Sequence, residues 1–170
     1  VKSPLDRELK DSYNISVSCT DKGQPPLTSS VNVLVHVTDA NDNAPKFEQT
    51  VYNAEVTEGN QLGEKILQVS ASDRDIGNNA IVQYRLDGEN KDKFSITINN
   101  GVIQTLYVFD REVTPTVNIT VLAIDMGIPA LTGTAIVTIK VKDINDNAPV
   151  FSMPMFVFKV MENIPAGVYI

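Results

Sequence analysis

Apolar and polar residues alternate with a period of two along much of this chain. Tyr13, Ile15, Val17 and Cys19 alternate with Asn14, Ser16 and Ser18, and Val31, Val33, Val35 and Val37 follow the same rhythm. Val117, Ile119, Val121 and Ala123 repeat it, as do Ile139 and Val141. A period of two sends alternate side chains to opposite faces of an extended chain, so these segments are predicted strands with one buried and one solvated face. Further runs read as strands: Val51–Val56, Lys65–Ala71, Ile81–Leu86 and Phe94–Ile98. Turn formers separate them, as in Gly23-Gln24-Pro25-Pro26 and Asn99-Asn100-Gly101. No amphipathic helix of useful length is visible. About seven short strands in about 100 residues predict an all-β fold, an antiparallel β-sandwich.

The pattern occurs more than once. Asp6-Arg7-Glu8 recurs as Asp110-Arg111-Glu112, and Asp21-Lys22-Gly23 as Asp125-Met126-Gly127. Asp39-Ala40-Asn41-Asp42-Asn43-Ala44-Pro45 recurs as Asp143-Ile144-Asn145-Asp146-Asn147-Ala148-Pro149, and Val56-Thr57-Glu58 as Val160-Met161-Glu162. The offset is 104 residues in every case. A constant offset without insertions marks a tandem structural repeat, here the size of one ordinary domain. The 170 residues therefore divide into the C-terminal part of one repeat (1–43), a complete repeat (44–147) and the N-terminal start of a further repeat (148–170), whose opening strand is expected there.

Charge narrows the possible partners. With 21 acidic and 14 basic residues the net charge is −7. Nucleic acid is not an expected partner, because phosphate binding needs basic patches. A single cysteine, Cys19, allows no intrachain disulfide. No apolar run reaches the ~18 residues of a membrane span, and no signal-peptide pattern opens the chain. A signal or membrane anchor is expected to lie outside it.

The acidic residues gather at predicted strand ends: Asp6 and Glu8, Asp39 and Asp42, Asp73 and Asp75, and Asp125. Strand ends meet at the poles of a sandwich, so these seven carboxylates can converge. At ~6 Å each pair repels by about 1 kcal/mol even in a water-like dielectric. Hard cations relieve such crowding, and calcium takes six to eight oxygens from carboxylates, amides and backbone carbonyls. Asn41, Asn43 and Asn79 add neutral oxygens. One cysteine and one histidine argue against zinc or copper. The alternative is a solvated turn, since Asp and Asn are common turn residues; recurrence in register weighs against it. An EF-hand fails as well. Its loop has Gly at the sixth position and Glu at the twelfth, where Ala44 and Thr50 stand here, and Ala148 and Pro154 in the copy.

Leu5-Asp6-Arg7-Glu8, Asp39 to Phe47, Asp73-Arg74-Asp75-Ile76-Gly77-Asn78-Asn79-Ala80 and Ala123-Ile124-Asp125 together resemble the extracellular repeats of cadherins. The Asp73 to Ala80 stretch is most similar to long cadherins of the Fat, Dachsous and protocadherin kinds. The resemblance implies tandem seven-stranded antiparallel Greek-key β-sandwiches with calcium held at the joints. At the first joint the implied ligands are Asp6 and Glu8, then Asp39, the Ala40 carbonyl, Asn41, Asp42 and Asn43, then Asp73, Asp75, Asp125 and the Asn79 carbonyl. At the second they are Glu58, Asp110, Glu112, Asp143, the Ile144 carbonyl, Asn145, Asp146 and Asn147. Asp21 and Glu162 would serve the joints before and after.

The implied function is a calcium-dependent cell-adhesion ectodomain segment on the extracellular side of the plasma membrane. Its expected partner is another cadherin ectodomain, homophilic or heterophilic. The membrane would enter only through a transmembrane segment outside the chain. One alternative is a passive spacer without adhesive contact. Another, from a different class, is a calcium-dependent hydrolase, which would need paired carboxylates in a cleft away from the joints. Absence of tryptophan excludes adhesion by a docked tryptophan within this segment. Asn14-Ile15-Ser16 and Asn118-Ile119-Thr120 are N-glycosylation sequons on the outward strand phase. Cys19 falls on the inward phase and is expected to be buried and inert. His36, on an outward phase, is expected at the surface; Phe47 and Phe151 are expected as core anchors.

Overall fold

The first alternating segments form a hairpin. In the computed structural model, which describes residues 3–163, 165 and 167, β1 (Ser12–Thr20) pairs antiparallel with β2 (Thr28–His36). Ile15 lies opposite Val33 and Val17 opposite Val31. Asp21 closes the intervening loop: its Oδ1 accepts the Gly23 N–H at 3.0 Å and the Leu27 N–H at 2.9 Å.

The middle repeat contains β3 (Lys46–Phe47), β4 (Val51–Thr57), β5 (Lys65–Gln68), β6 (Ala71–Ser72), β7 (Gln83–Asp87), β8 (Phe94–Ile96), β9 (Val102–Thr105), β10 (Thr116–Ile124) and β11 (Thr132–Lys142). One layer has the order β4-β11-β10-β7; opposite it stand β5-β9-β8 and the short pair β3-β6. All pairings are antiparallel except β4 with β11, which is parallel. Phe47, Val69, Phe94 and Ile103 meet Val117, Ile119, Val121, Val137, Ile139 and Val141 in one core. Each such side chain contributes ~1.5–3 kcal/mol by leaving water. The core residues of β10 and β11 are the inward phase of the period-two pattern.

The nine segments amount to seven strands, two of them broken, and six of the seven contain an expected run. The stretch 65–72 bonds first to β9 and then to β3, with the Val69 N–H donating to the Gly101 carbonyl at 3.0 Å in between. A register shift between Lys65 and Leu67 bends the strand toward that change of partner. The stretch 46–57 divides likewise between β6 and β11. The strand expected from Ile81 starts later, at Gln83. The Ile81 N–H is already spent on the Asn78 carbonyl, ending a 3₁₀ turn over Gly77–Ala80. β9 was not among the expected strands: its four residues are too short for a clear alternation.

Three expectations need correction. Cys19 is exposed rather than buried. Among the described residues no second layer covers the inward face of β1–β2: Ile15 and Val17 are each 49% exposed, whereas their counterparts Ile119 and Val121 are 2% and 0%. No strand opens within 148–163, and Phe151 is 83% exposed where Phe47 is 7%. A strand needs a partner ladder, and the described residues offer this segment no counterpart of β11 to pair with. Ile164, Ala166 and residues 168–170 of the expected third repeat lie outside the described residues. His36 is exposed, as its phase requires.

The chain enters the middle sandwich through a tight contact. A Cβ built on Gly133 would lie 1.9 Å from the Pro45 carbonyl oxygen, so only glycine on β11 lets the linker backbone dock there. Ile119→Ala should destabilise the middle sandwich by about 2–5 kcal/mol, and its half-exposed counterpart Ile15→Ala by no more than about 1 kcal/mol. Urea unfolding followed by tyrosine fluorescence distinguishes the two.

Candidate metal centre

Between β2 and β3 the chain is short and polar, and its side chains turn both ways. The Asp42 N–H folds back to the Ala40 carbonyl at 2.9 Å, and at the second joint the Asp146 N–H folds back to the Ile144 carbonyl at 2.7 Å. This local turn directs consecutive side chains to different neighbours. Asp39 is the hub. Its Oδ1 accepts from Arg7 Nε at 2.5 Å. Its Oδ2 accepts from the Ile76 N–H at 3.2 Å and from Asn79 Nδ2 at 2.9 Å. Asn43 Nδ2 donates to Asp75 Oδ1 at 2.7 Å and to Asp42 Oδ1 at 2.8 Å. Asn41 Nδ2 donates to both oxygens of Asp125 at 3.2 Å and to the Pro129 carbonyl at 2.7 Å.

Acidic groups converge here from three stretches of chain. Oxygens of Glu8, Asp39 and Asp75 lie within 4.8 Å of one another; they come from the turn before β1, the linker and the loop after β6 respectively. Asp75 and Asp125 are buried, at 5% and 3% exposure. Burial pushes the Asp73 carboxyl up, and the like charges of Asp75 and Asp125 push it further. Burial also pushes Asp39 up, but the bonds from Asn79, Ile76 and Arg7 outweigh it and hold that carboxyl below the ordinary aspartate range. Asp6 caps its own turn by accepting the Leu9 N–H at 3.0 Å. With Glu8, Asp42, Asn43 and Arg74, it lines an open cleft at the joint.

The donor set suits a hard cation. Two buried oxygens, Asn41 Oδ1 and Asp73 Oδ2, have no hydrogen-bond partner. Both are pure acceptors, and an unsatisfied buried acceptor costs about 1–3 kcal/mol unless something binds it. The acidic and amide side chains gathered at this joint, Glu8, Asp39, Asp75, Asp125, Asn41 and Asn43, offer oxygen, and none of them is a thiolate or imidazole, which is the ligand chemistry of calcium.

The second joint assembles a complementary part of the same arrangement. Oxygens of Glu58, Glu112 and Asp143 lie within 4.8 Å of one another. Glu58 is buried; it accepts the Ile144 N–H at 2.5 Å and the Arg111 N–H at 2.8 Å. These two backbone bonds, Ile144 first, hold its carboxyl below the ordinary glutamate range, helped by the Arg111 charge and opposed by burial. Asp110 caps its turn through the Val113 N–H at 3.2 Å, as Asp6 does. Asn147 Nδ2 bonds Asp146 at 2.7 Å, as Asn43 bonds Asp42. Asn145 and Glu162 are exposed and not drawn into the cluster. Asp21 is likewise apart: its carboxyl is pulled down by the Leu27 and Gly23 N–H groups of its own loop. Asn14 and Asn118 are exposed on the outward faces of β1 and β10.

Three residues not assigned a part from the sequence help to build the joint. Arg7 pairs with Asp39 and Glu8, and Arg111 pairs with Asp143 and Glu112. Gly127 leaves room for Asn41, since a Cβ there would lie 2.3 Å from the Asn41 amide. The signal was available: Arg111 and Gly127 recur from Arg7 and Gly23 at the same offset as the acidic residues.

Comparison with known proteins fits this architecture. The profile of the cadherin domain family matches residues 1–38 and 52–142. The chain belongs to the cadherin domain family, a family of cell-adhesion ectodomains rather than enzymes; the hydrolase alternative falls. It is 42% identical over 170 residues to Protein dachsous of Drosophila melanogaster, covering 98% of this chain and 5% of that protein. It is 43% identical over 161 residues to human Protocadherin Fat 4, covering 94% of this chain and 3% of that protein. The structure of the protocadherin gammaB7 EC3-6 cis-dimer superposes with a TM-score of 0.80 at 39% identity, covering 91% of this chain and 38% of that one. The chain thus spans a small fraction of the length of these relatives. Among the described residues no helix is long and apolar enough to cross a membrane.

Glu58 generates a pH prediction. A carboxyl held low in the folded state contributes stability that is complete above its unfolded pKa and is lost as pH falls through the folded one. The Ile144 and Arg111 amides should therefore stay protected from hydrogen exchange through the ordinary glutamate range and lose protection only at lower pH. Glu58→Gln should remove that acid transition. NMR titration of the Glu58 carboxyl carbon gives the midpoint directly, and a midpoint in the ordinary range would contradict the assignment.

Proposed function

We propose that this chain is a segment of an extracellular cell-adhesion ectodomain in which calcium ions couple consecutive cadherin repeats into one body. The observation that carries the reading is the meeting of Glu8, Asp39 and Asp75, together with the unpartnered buried oxygens of Asn41 in the linker and Asp73 in the loop that carries Asp75. The residues fall on both sides of a linker, so one cation there engages two repeats. The boundaries that follow are 1–43 for the end of one repeat, 44–147 for a complete repeat and 148–170 for the start of the next.

Glu8, Asp39, Asp42, Asp73, Asp75, Asp125 and the Asn41 oxygen would hold calcium at the first joint, with Asp6 and the carbonyls of Ala40 and Asn79. Asn43 would serve through an oxygen or by orienting Asp75. Glu58, Asp110, Glu112, Asp143, Asp146, Asn145, Asn147 and the Ile144 carbonyl would do so at the second, where the following repeat supplies the remainder. Bound calcium supplies concentrated positive charge, converting mutual repulsion of these groups into shared attraction. Asp21 and Glu162 would act at the joints beyond. Asn14 and Asn118 would carry glycans on the outward face of each repeat. The partner is another cadherin ectodomain, and the context is the outer side of the plasma membrane.

Calorimetry tests the metal. Titration with calcium chloride should give a dissociation constant of about 10⁻⁴–10⁻³ M. Asp75→Asn should weaken the first joint and spare the second, whereas Glu112→Gln should do the reverse. Absence of calcium heat from the wild-type chain would end the proposal. The mechanical consequence is read by small-angle scattering on two complete consecutive repeats. Millimolar calcium added after chelation should lengthen and narrow the distribution of interdomain distances, and an unchanged profile would show that the acidic groups do not control the joint.

A further inference from the structure

We propose that the loop from Asp125 to Leu131 selects an amide at position 41, holding its nitrogen and leaving its oxygen free for the metal site, with Gly127 as the positioning residue. The role rests on the calcium reading of that joint, and it makes the asparagine there more than one oxygen among several. Asn41 Nδ2 donates to both oxygens of Asp125 at 3.2 Å and to the Pro129 carbonyl at 2.7 Å. An ionised carboxylate and a carbonyl only accept hydrogen bonds, so the end of the side chain that faces them must be a donor. The amide is planar, and its Oδ1 is therefore directed away from the Nδ2 contacts. That atom is buried and has no partner.

Room for the amide comes from Gly127. This residue is buried, and a Cβ on it would lie 2.3 Å from both Cγ and Nδ2 of Asn41 and 2.7 Å from Oδ1. The whole amide group thus lies against the bare Cα. Gly127 does not adopt a positive φ, so its backbone admits other residues and only the occupied space excludes a side chain. The colliding atoms belong to a rotatable side chain from the linker. Gly127→Ala therefore displaces Asn41 and leaves the loop intact.

The loop holds its shape without the asparagine. Asp125 accepts the Gly127 N–H at 2.9 Å and the Leu131 N–H at 3.0 Å. In the preceding repeat Asp21 accepts the Gly23 and Leu27 N–H groups at 3.0 and 2.9 Å, and there the atoms nearest to a Cβ on Gly23 belong to its own loop. The cradle is thus built by the loop and not by its occupant. The converse appears at the second joint. Asn145, the repeat counterpart of Asn41, is exposed, and the described residues offer it no such loop.

Calcium chloride titrations of the full chain, followed by NMR at the Asp75 amide, separate an oriented amide from a simple oxygen donor. Asn41→Asp adds negative charge to a cation site, which by itself would tighten binding. It also sets a carboxylate against Asp125 and the Pro129 carbonyl with no donor between them, and should instead weaken calcium about tenfold. Gly127→Ala should weaken it by a similar factor. In an Asn41→Ala chain the same change should cost less than about twofold, because two residues acting through one group are not additive. At saturating calcium the Asn41 Nδ2 protons of the wild type should show nuclear Overhauser contacts to the Gly127 α protons and exchange slowly with water; in Gly127→Ala they should exchange rapidly. Hydrogen exchange at Leu131, Val121 and Val137 should be the same in every variant, which ties the effect to the asparagine rather than to the loop or the core. Unchanged or tighter binding by Asn41→Asp would overturn the role of the loop, as would an equal loss from Gly127→Ala with and without Asn41. In either case a wild-type response at Asp75 would leave the calcium reading standing. A wild-type chain whose Asp75 amide ignores calcium would overturn that reading, and the orientation of Asn41 toward a metal with it.

Discussion

Like charges held together at a strand pole are the constraint on which the joint depends. Asp73, Asp75 and Asp125 are placed by the loops of a well-packed sandwich, and Asp39 and Glu8 are brought to them by the chain before it. In bulk solvent these groups would separate. Here separation is opposed by the Gly133–Pro45 contact, by the Asn41 and Asn43 amides and by Arg7. The cluster therefore keeps its shape while retaining acceptors without partners, which is the condition of a site able to attract a cation.

The sandwich beneath is chemically separate from this cluster. Its core is Val, Ile, Phe, Tyr and Ala, closed between two layers, and the only acidic groups buried in the repeat lie at its poles: Asp75 and Asp125 at one and Glu58 at the other. Rigidity of the poles comes from short side chains bonded to backbone. Asp125 accepts the Gly127 and Leu131 N–H groups at 2.9 and 3.0 Å, and Glu58 accepts those of Ile144 and Arg111. These carboxylates shape their loops and still face the joint, so one residue type serves both the fold and the site. The solvated-turn and metal-site readings of the acidic runs are thus not exclusive: Asp6, Asp21, Asp110 and Asp125 all close turns.

The two joints illuminate each other. The first presents the side built by the following repeat, through Asp75, Asn79 and Asp125; the second presents the side built by the preceding repeat, through the buried Glu58. The shared elements, Glu8 with Glu112 and Asp39 with Asp143, adopt the same pairings with arginine in both. What differs is burial, and it follows the number of chain segments present.

The repeat, the sandwich and the list of oxygen-bearing residues were legible in the sequence, because a period of two and a constant offset are properties of the order of residues alone. The inward phase of β10 and β11 could be read residue by residue. The burial expected of Cys19 and Phe151 could not: burial requires a second surface, and whether one is present is a property of the assembled structure. The breaks at 69–70 and 48–50 escaped for a related reason, since a strand changes layers according to its available partners. Tertiary structure alone decided that Asp39, rather than any of its acidic neighbours, receives Arg7 on one oxygen and the next repeat on the other. Sequence spacing specifies which groups arrive at a pole, but the choice among them depends on direction and distance, and those exist only after the strands have packed.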